Sequence, residues 1–296
     1  MKVLRWIGYI LGGLIVVLAF AVAVVYFVSA QKLGNGYEVT PDAIAIPTDE
    51  ASIARGRHIA EAMSDCVGCH AENLGGQMFL DDPNFARLAA PNLTSGQGGI
   101  GANYSDEDWV RAIRHGVAAD GRALIIMPSH WFHYLHDEDL GALIAYLKTV
   151  PPVDNQLPSR SVAFVPTRIL LALGLLPTSV ELIAKNGARP TPEAEISVEY
   201  GGYISLIAAC RECHGIDLAG GTSEGAPKGP NLTPGGAFAA YREEDFLKLM
   251  HTGETPGGRT VSQEMPWMNY GKMTDDELKA LFAYLQSIEP LPNAGS

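Results

Sequence analysis

The sequence predicts an all-α molecule, one long apolar helix followed by two copies of a small helical domain, and three observations carry that expectation. First, Ile7 to Val28 is a run of 22 almost wholly apolar residues. Second, a gap-free internal repeat relates the two halves of the rest: Met127-Pro128 recurs as Met265-Pro266, and Leu140, Leu143, Ile144, Tyr146 and Leu147 recur as Leu278, Leu281, Phe282, Tyr284 and Leu285, all at an offset of 138. Third, Leu140, Leu143, Ile144 and Leu147 fall at i, i+3, i+4 and i+7, the stripe of an amphipathic helix, and their counterparts repeat it. No strand pattern of useful length is visible. The division that follows is 1–32 for the apolar helix, 50–152 and 193–292 for the two domains, and 153–192 for a linker.

The apolar run is long enough to span a bilayer, which takes about 20 such residues; a secretory signal has a core of about 7–15. Val28-Ser29-Ala30 leaves a cleavage site open as the alternative. Lys2 and Arg5 precede the run, so the positive-inside rule keeps them in the cytoplasm. Everything after Lys32 then faces outward from a bacterial cytoplasmic membrane, to the periplasm or the cell exterior. The chain has 296 residues, 47% apolar and 18% charged, enough to bury real cores. Its net charge of −12 excludes nucleic acid as a partner, because phosphate neutralisation needs clustered Lys and Arg. A soluble partner would present a basic face.

The four cysteines fall in two runs, Cys66-Val67-Gly68-Cys69-His70 and Cys210-Arg211-Glu212-Cys213-His214. Both read C-x-x-C-H, the attachment signature of c-type haem. Two thiols on one turn can each add to a vinyl group, and the histidine that follows can turn its imidazole toward the iron. No cysteine is left for a disulfide. A thioredoxin-type pair would need a βαβ setting, and a structural zinc site would not explain a histidine directly after both pairs.

Around these motifs each copy reads as helices joined by glycine- and proline-rich loops, such as 96–101 and 253–258. Thr274 with Glu277 forms a capping box that opens the last helix, and Ser105 with Asp108 gives a similar start before Trp109. Pro151-Pro152 and Pro290 end the two terminal helices. Pro91-Asn92-Leu93-Thr94 recurs as Pro230-Asn231-Leu232-Thr233. In the linker, the apolar centre Ile169–Leu176 is too short to span a membrane and predicts a short helix packed between the domains, with the bilayer or a partner subunit as alternative neighbours.

On these motifs each repeat resembles a class I cytochrome c domain. The resemblance implies a small all-α fold around one haem, with a C-terminal helix crossing the helix before the haem motif. Gly56, and Gly201 or Gly202, resemble the close-approach glycines of that crossing, with Tyr146 and Tyr284 as aromatic partners. The family's proline carbonyl, hydrogen-bonded to the proximal histidine, maps to Pro91 and Pro230. Its distal methionine maps to Met127 and Met265. Arg122 and Arg259, in Asp120-Gly121-Arg122 and Gly257-Gly258-Arg259, resemble residues that pair with haem propionates. The resemblance therefore implies two haem c groups and irons held by His70 with Met127 and His214 with Met265.

Methionine is more often a core gap-filler than a ligand, and Met268 and Met273 compete with Met265. For the first haem, His130, His133 and His136 offer bis-histidine ligation or a separate metal as the alternative. His58, His115 and His251 read as structural, with a supporting role open for the last two. Two axial protein ligands leave no position for oxygen or peroxide, and a His/Met pair raises the reduction potential. The expectation is an electron carrier rather than a catalyst, with redox proteins and other subunits of a membrane oxidoreductase complex as partners and the bilayer held by the N-terminal helix. The arrangement resembles cytochrome subunits of membrane-bound alcohol and sugar-acid dehydrogenases, which usually carry three haem motifs where this chain has two, and dihaem subunits of respiratory complexes. The alternative is a dihaem peroxidase-like enzyme, which would need one haem able to open a coordination position.

Overall fold

A computed structural model describes residues 2–34, 36–184, 187–221 and 227–294. The apolar run forms α1, Lys2–Leu33, and residues 3–24 along it are exposed on every face. This helix is long and apolar enough to cross a membrane. Its last two turns are different: Ser29 and Leu33 are buried.

The first repeat begins with α2, Glu50–His58, capped by Asp49 and prolonged by a π-turn over Ile59–Met63. It continues through α3, Cys66–His70, α4, Asp106–His115, α5, Ser129–Phe132, and α6, Asp137–Thr149. The second repeat answers with α9, Val198–Ile207, α10, Cys210–His214, α11, Glu243–Thr252, α12, Trp267–Tyr270, and α13, Asp275–Ser287. Both capping boxes form: Ser105 with Asp108 starts α4, and Thr274 with Glu277 starts α13. Leu140, Leu143, Ile144 and Leu147 are buried along one side of α6, as are Leu278, Leu281 and Leu285 on α13.

In each repeat the terminal helices cross at a glycine. A Cβ at Gly56 would collide with the carbonyl oxygen of Ala142, and one at Gly201 with that of Ala280. Of the two glycines open in the second repeat, Gly201 is therefore the crossing residue, and its contact is backbone. Gly202 faces the Tyr284 ring, with 3.2 Å between an added Cβ and the ring edge.

Two expectations need correction. The chain is mostly helical but not wholly so. Strands β1, Gln77–Asp82, and β2, Ala86–Ala90, form an antiparallel hairpin, and a short β3, Ser161–Val162, pairs with the far edge of β2. The hairpin turns at Asp82, whose side chain accepts from the Asn84 N–H at 2.8 Å while its carbonyl accepts from Phe85 N. The strands are short and bulged between Met78 and Leu80, and Met78, Phe79 and Leu80 are apolar in succession, so they leave little hydrophobic alternation to read. The linker also packs elsewhere than expected. It forms two short helices, α7, Ile169–Leu173, and α8, Ser179–Ile183. Helix α7 lies against the last turns of α1, and α8 lies against α4 and α5 of the first repeat.

Glycine to alanine in an unconstrained helix stabilises by about 1 kcal/mol. At the crossing the backbone collision reverses the sign, so Gly201→Ala is expected to destabilise by about 1–3 kcal/mol. Gly202→Ala, against a ring edge that can shift, should stay near neutral. Denaturant unfolding of both variants checks the pair.

Candidate functional site

The two cysteine motifs take the same local form. Each is one helical turn entered through a residue in the left-handed region, Asp65 at φ 47° before α3 and Ala209 at φ 52° before α10. The Asp65 side chain also accepts from Gly68 N. That entry turns the chain sharply and puts both sulfurs of a pair and the following histidine on a single turn. All four thiols are free. Burial pushes the Cys66 thiol up to about 12 and those of Cys69 and Cys210 to about 11, and it raises Cys213 as well. Burial penalises a thiolate and leaves an uncharged thioether untouched, so these pairs suit covalent attachment better than metal binding as thiolates.

His70 and His214 are buried, and each points Nδ1 at a proline carbonyl: 2.8 Å to Pro91 and 2.7 Å to Pro230. A carbonyl oxygen can only accept, so Nδ1 carries the proton and Nε2 presents its lone pair. Burial lowers both imidazole pKa values, the proline carbonyls opposing it, and keeps the rings neutral.

The repeated Pro-Asn-Leu-Thr segment fixes those carbonyls. Asn92 Oδ1 accepts from the Thr94 N–H at 2.9 Å and hydroxyl at 2.8 Å, and Asn92 Nδ2 donates to Val153 O at 2.6 Å. Asn231, Thr233 and Leu291 O repeat the arrangement. The segment thus knots the histidine's partner to the chain leaving the terminal helix. Sequence reasoning used only the proline; the recurrence of Asn and Thr in both copies was the available signal.

Met127 and Met265 are half-buried against the core and enter the same turn. Pro128 and Pro266 have φ/ψ of −79°/51° and −77°/49°, and Ser129 N and Trp267 N donate back to the methionine carbonyls at 2.8 and 2.7 Å. Met273 is buried in the core and Met268 is half exposed. The three histidines after Met127 have other partners. His130 Nε2 lies 2.6 Å from Glu212, His133 Nδ1 meets Arg114 O at 3.2 Å, and His136 caps α6. No group of three or more metal-binding side chains occurs among the described residues. Arg122 pairs with Asp120, and Arg259 is exposed. Both follow a glycine in the left-handed region, Gly121 and Gly258, in matching turns.

The repeats meet through exchanged contacts around these sites. Glu212, inside the second cysteine motif, accepts from Trp131 Nε1 at 2.6 Å as well as meeting His130, just after Met127. In the opposite sense, Asn269, just after Met265, donates to Asp65 at 2.6 Å. Between them, Arg55 binds Asp139 through two hydrogen bonds of 2.9 Å and Glu277 through one of 3.0 Å. His58 reaches Glu277 at 2.7 Å, and Tyr203 donates to Asp139 at 2.8 Å.

The family model for cytochrome c matches residues 53–151 and 201–289, the two repeats. The chain belongs to the cytochrome c family. Among its relatives is the fructose dehydrogenase cytochrome subunit of Gluconobacter japonicus, 29% identical over 82% of this chain and 54% of that one. The cytochrome c subunit of the quinone alcohol dehydrogenase of Gluconacetobacter polyoxogenes is 27% identical over 88% of this chain and 59% of that one. A diheme cytochrome c-type protein of Cereibacter sphaeroides is 27% identical over 84% of this chain and 89% of that one. The chain thus spans little more than half the length of the two dehydrogenase subunits. Cytochrome c domains carry haem c, and the residues here fit that group: a thiol pair on one turn, an imidazole with its outer nitrogen bare, and thiols that burial keeps uncharged.

Burial pushes the Glu277 carboxyl up, but the hydrogen bonds from His58 and the Thr274 amide and the charge of Arg55 outweigh it and hold the group at about 2 against an ordinary 4.5. A depressed carboxylate pKa stabilises the fold above its unfolded value, and that stability is lost as pH falls through the folded one. The melting temperature is expected to drop as pH falls from roughly 4.5 towards 2, and Glu277→Gln should flatten that part of the profile.

Proposed function

We propose that the chain carries electrons through two haem c groups, one in each of the domains 50–152 and 193–292, on the periplasmic face of a bacterial cytoplasmic membrane. The observation that carries this reading is the duplication of one complete donor set. Each repeat brings a thiol pair, a histidine with Nδ1 tied to a proline carbonyl, and a Met-Pro turn of the same backbone shape.

Haem c, when bound, supplies an iron that takes up and gives back a single electron. Cys66 with Cys69, and Cys210 with Cys213, tie the group to the chain. His70 and His214 would hold the iron through Nε2, and Met127 and Met265 through sulfur. Pro91 and Pro230 fix the imidazole orientation and raise ligand basicity. Arg122 and Arg259 stand as cationic partners for the carboxylates of the group. A His/Met donor set supplied by the chain would exclude small exogenous ligands and favour a high potential.

The exchanged contacts give the two domains a shared joint. Glu212 binds the loop after Met127 to the second cysteine motif, and Asn269 binds the loop after Met265 to the turn before Cys66. Each motif is thereby held next to the other domain's methionine loop, which suits transfer between the two sites. The dehydrogenase subunits among the relatives support reading the chain as the cytochrome subunit of a membrane oxidoreductase complex, with residues 1–32 as its anchor. The linker 153–192 connects the domains.

Met127→Ala or Met265→Ala is expected to lower the potential of one haem and let the reduced protein bind carbon monoxide, which the wild type should refuse. Redox titration and carbon monoxide difference spectra check this, and rapid binding by the wild type would sink the carrier reading. Glu212→Ala should slow electron exchange between the domains and speed amide hydrogen exchange over 128–134, with two haems still covalently bound. Unchanged amide exchange would remove Glu212 from the joint.

A further inference from the structure

The linker was expected to lie between the domains, and its packing on α1 instead gives it a definite level relative to the apolar helix. The fully exposed part of α1, residues 3–24, is about 33 Å long at 1.5 Å per residue, close to the roughly 30 Å hydrocarbon core of a bilayer. Directly beyond it the linker closes around the helix. Arg168 lies over the Tyr26 ring, 4.8 Å from its centroid, and donates to Ser29 Oγ at 3.0 Å. Arg160 donates to Leu33 O at 2.8 Å, and Lys32 pairs with Glu181 at 2.7 Å. Tyrosine at the end of an apolar span, with arginine beside it, is the signature of a membrane–water boundary.

At this level the linker turns large apolar side chains outward. Val165 is 62% exposed, Leu173 66% and Leu175 50%. Elsewhere in α7 the apolar side is satisfied: Leu171 is fully buried. Gly174, between the two exposed leucines, comes near the Lys32 ammonium, so these side chains lie beyond the exposed span, towards the outer end of α1. The headgroup zone begins at that end of the span and is about 5–7 Å deep on each side of the core. Charge points the same way. Arg160 and Arg168 both reach the end of α1, in a chain of net charge −12.

From these observations we infer that the linker is a membrane-surface collar: Val165, Leu173 and Leu175 dip into the outer leaflet around the exit of α1, while Arg160 and Arg168 meet anionic headgroups. Apolar side chains buried at the interface and cations facing anionic lipid are the two sources of interfacial binding. Because β3 pairs with β2 and Ser179 Oγ donates to the Met127 carbonyl, the collar is fixed to the first domain. Seating it on the bilayer would hold that domain at a set height and tilt, which a single helix alone does not do. The inference rests on α1 spanning the membrane.

The test places photoreactive p-benzoylphenylalanine at position 173, 175, 11 or 216 of the full chain, one site at a time, in membrane vesicles of the expressing cells. Covalent haem staining confirms that each variant is assembled. After irradiation, lipid adducts are expected by mass spectrometry at 173 and 175, at 11 within α1, and not at 216, where Ile216 of the second domain is 75% exposed. Lipid adducts at 11 but none at 173 and 175 would overturn the collar and leave the anchor standing. Protein adducts at 173 and 175 would overturn it in favour of a partner subunit on this face. Absence of lipid at 11 as well would overturn both the collar and the spanning reading.

Discussion

The hydrogen bonds from His70 to Pro91 O and from His214 to Pro230 O govern what the rest of each repeat must do. An acceptor that cannot donate leaves one tautomer, and that tautomer leaves Nε2 as the only donor available to a metal. The carbonyl is useful only if it stays still. Asn92 and Thr94, with Asn231 and Thr233, hold it by reaching across to the chain that leaves the terminal helix, at Val153 and Leu291. The terminal helix is in turn held by the glycine crossings at Ala142 and Ala280. Ring orientation, loop knot and helix crossing therefore form one connected chain of constraints, built twice from the same residue types.

The joint between the repeats uses acids that already have another duty. Glu277 completes the capping box of α13 and also takes Arg55 and His58 from the first repeat. Asp139 occupies the same place in α6, at the repeat offset, and takes Arg55 and Tyr203. Both carboxylates are buried, so desolvation offsets much of their attraction to Arg55. What such a cluster contributes is register: a shifted domain would leave two carboxylates and a guanidinium without partners. It fixes how the repeats face each other more than it raises total stability.

The parts of this arrangement legible in the sequence were those carried by residues close together or repeated at a fixed offset. The cysteine motifs, the Met-Pro turns, the capping boxes and the amphipathic stripes all fall in that class. The hairpin 77–90 was missed because apolar Phe79 is exposed between Met78 and Leu80, so burial alternates where hydrophobicity does not. The choice between Gly201 and Gly202 needed the rotation of one helix against another, which adjacent glycines do not encode. His130, His133 and His136 looked like a ligand series by spacing, but spacing does not show that His130 faces Glu212 of the other repeat. The linker was misplaced for a similar reason: an apolar stretch in sequence names no partner, and here the partner is the end of α1.

Although the repeats present the same residue types at their sites, the linker makes them unequal. Beside the first, Ser179 of α8 donates to the Met127 carbonyl, and β3 closes the hairpin edge. The turn of Met265 is approached instead by exposed Ser262, Gln263 and Glu264, and its carbonyl accepts from Trp267 of the same loop. A covered site loses water and gains rigidity, and both change the energy of adding an electron to a buried metal. Two haems held by the proposed His/Met sets would therefore differ in potential without any change of ligand. The linker contacts fall on the repeat tied to α1, so among the described residues it is the first site whose methionine carbonyl is held from outside its own domain.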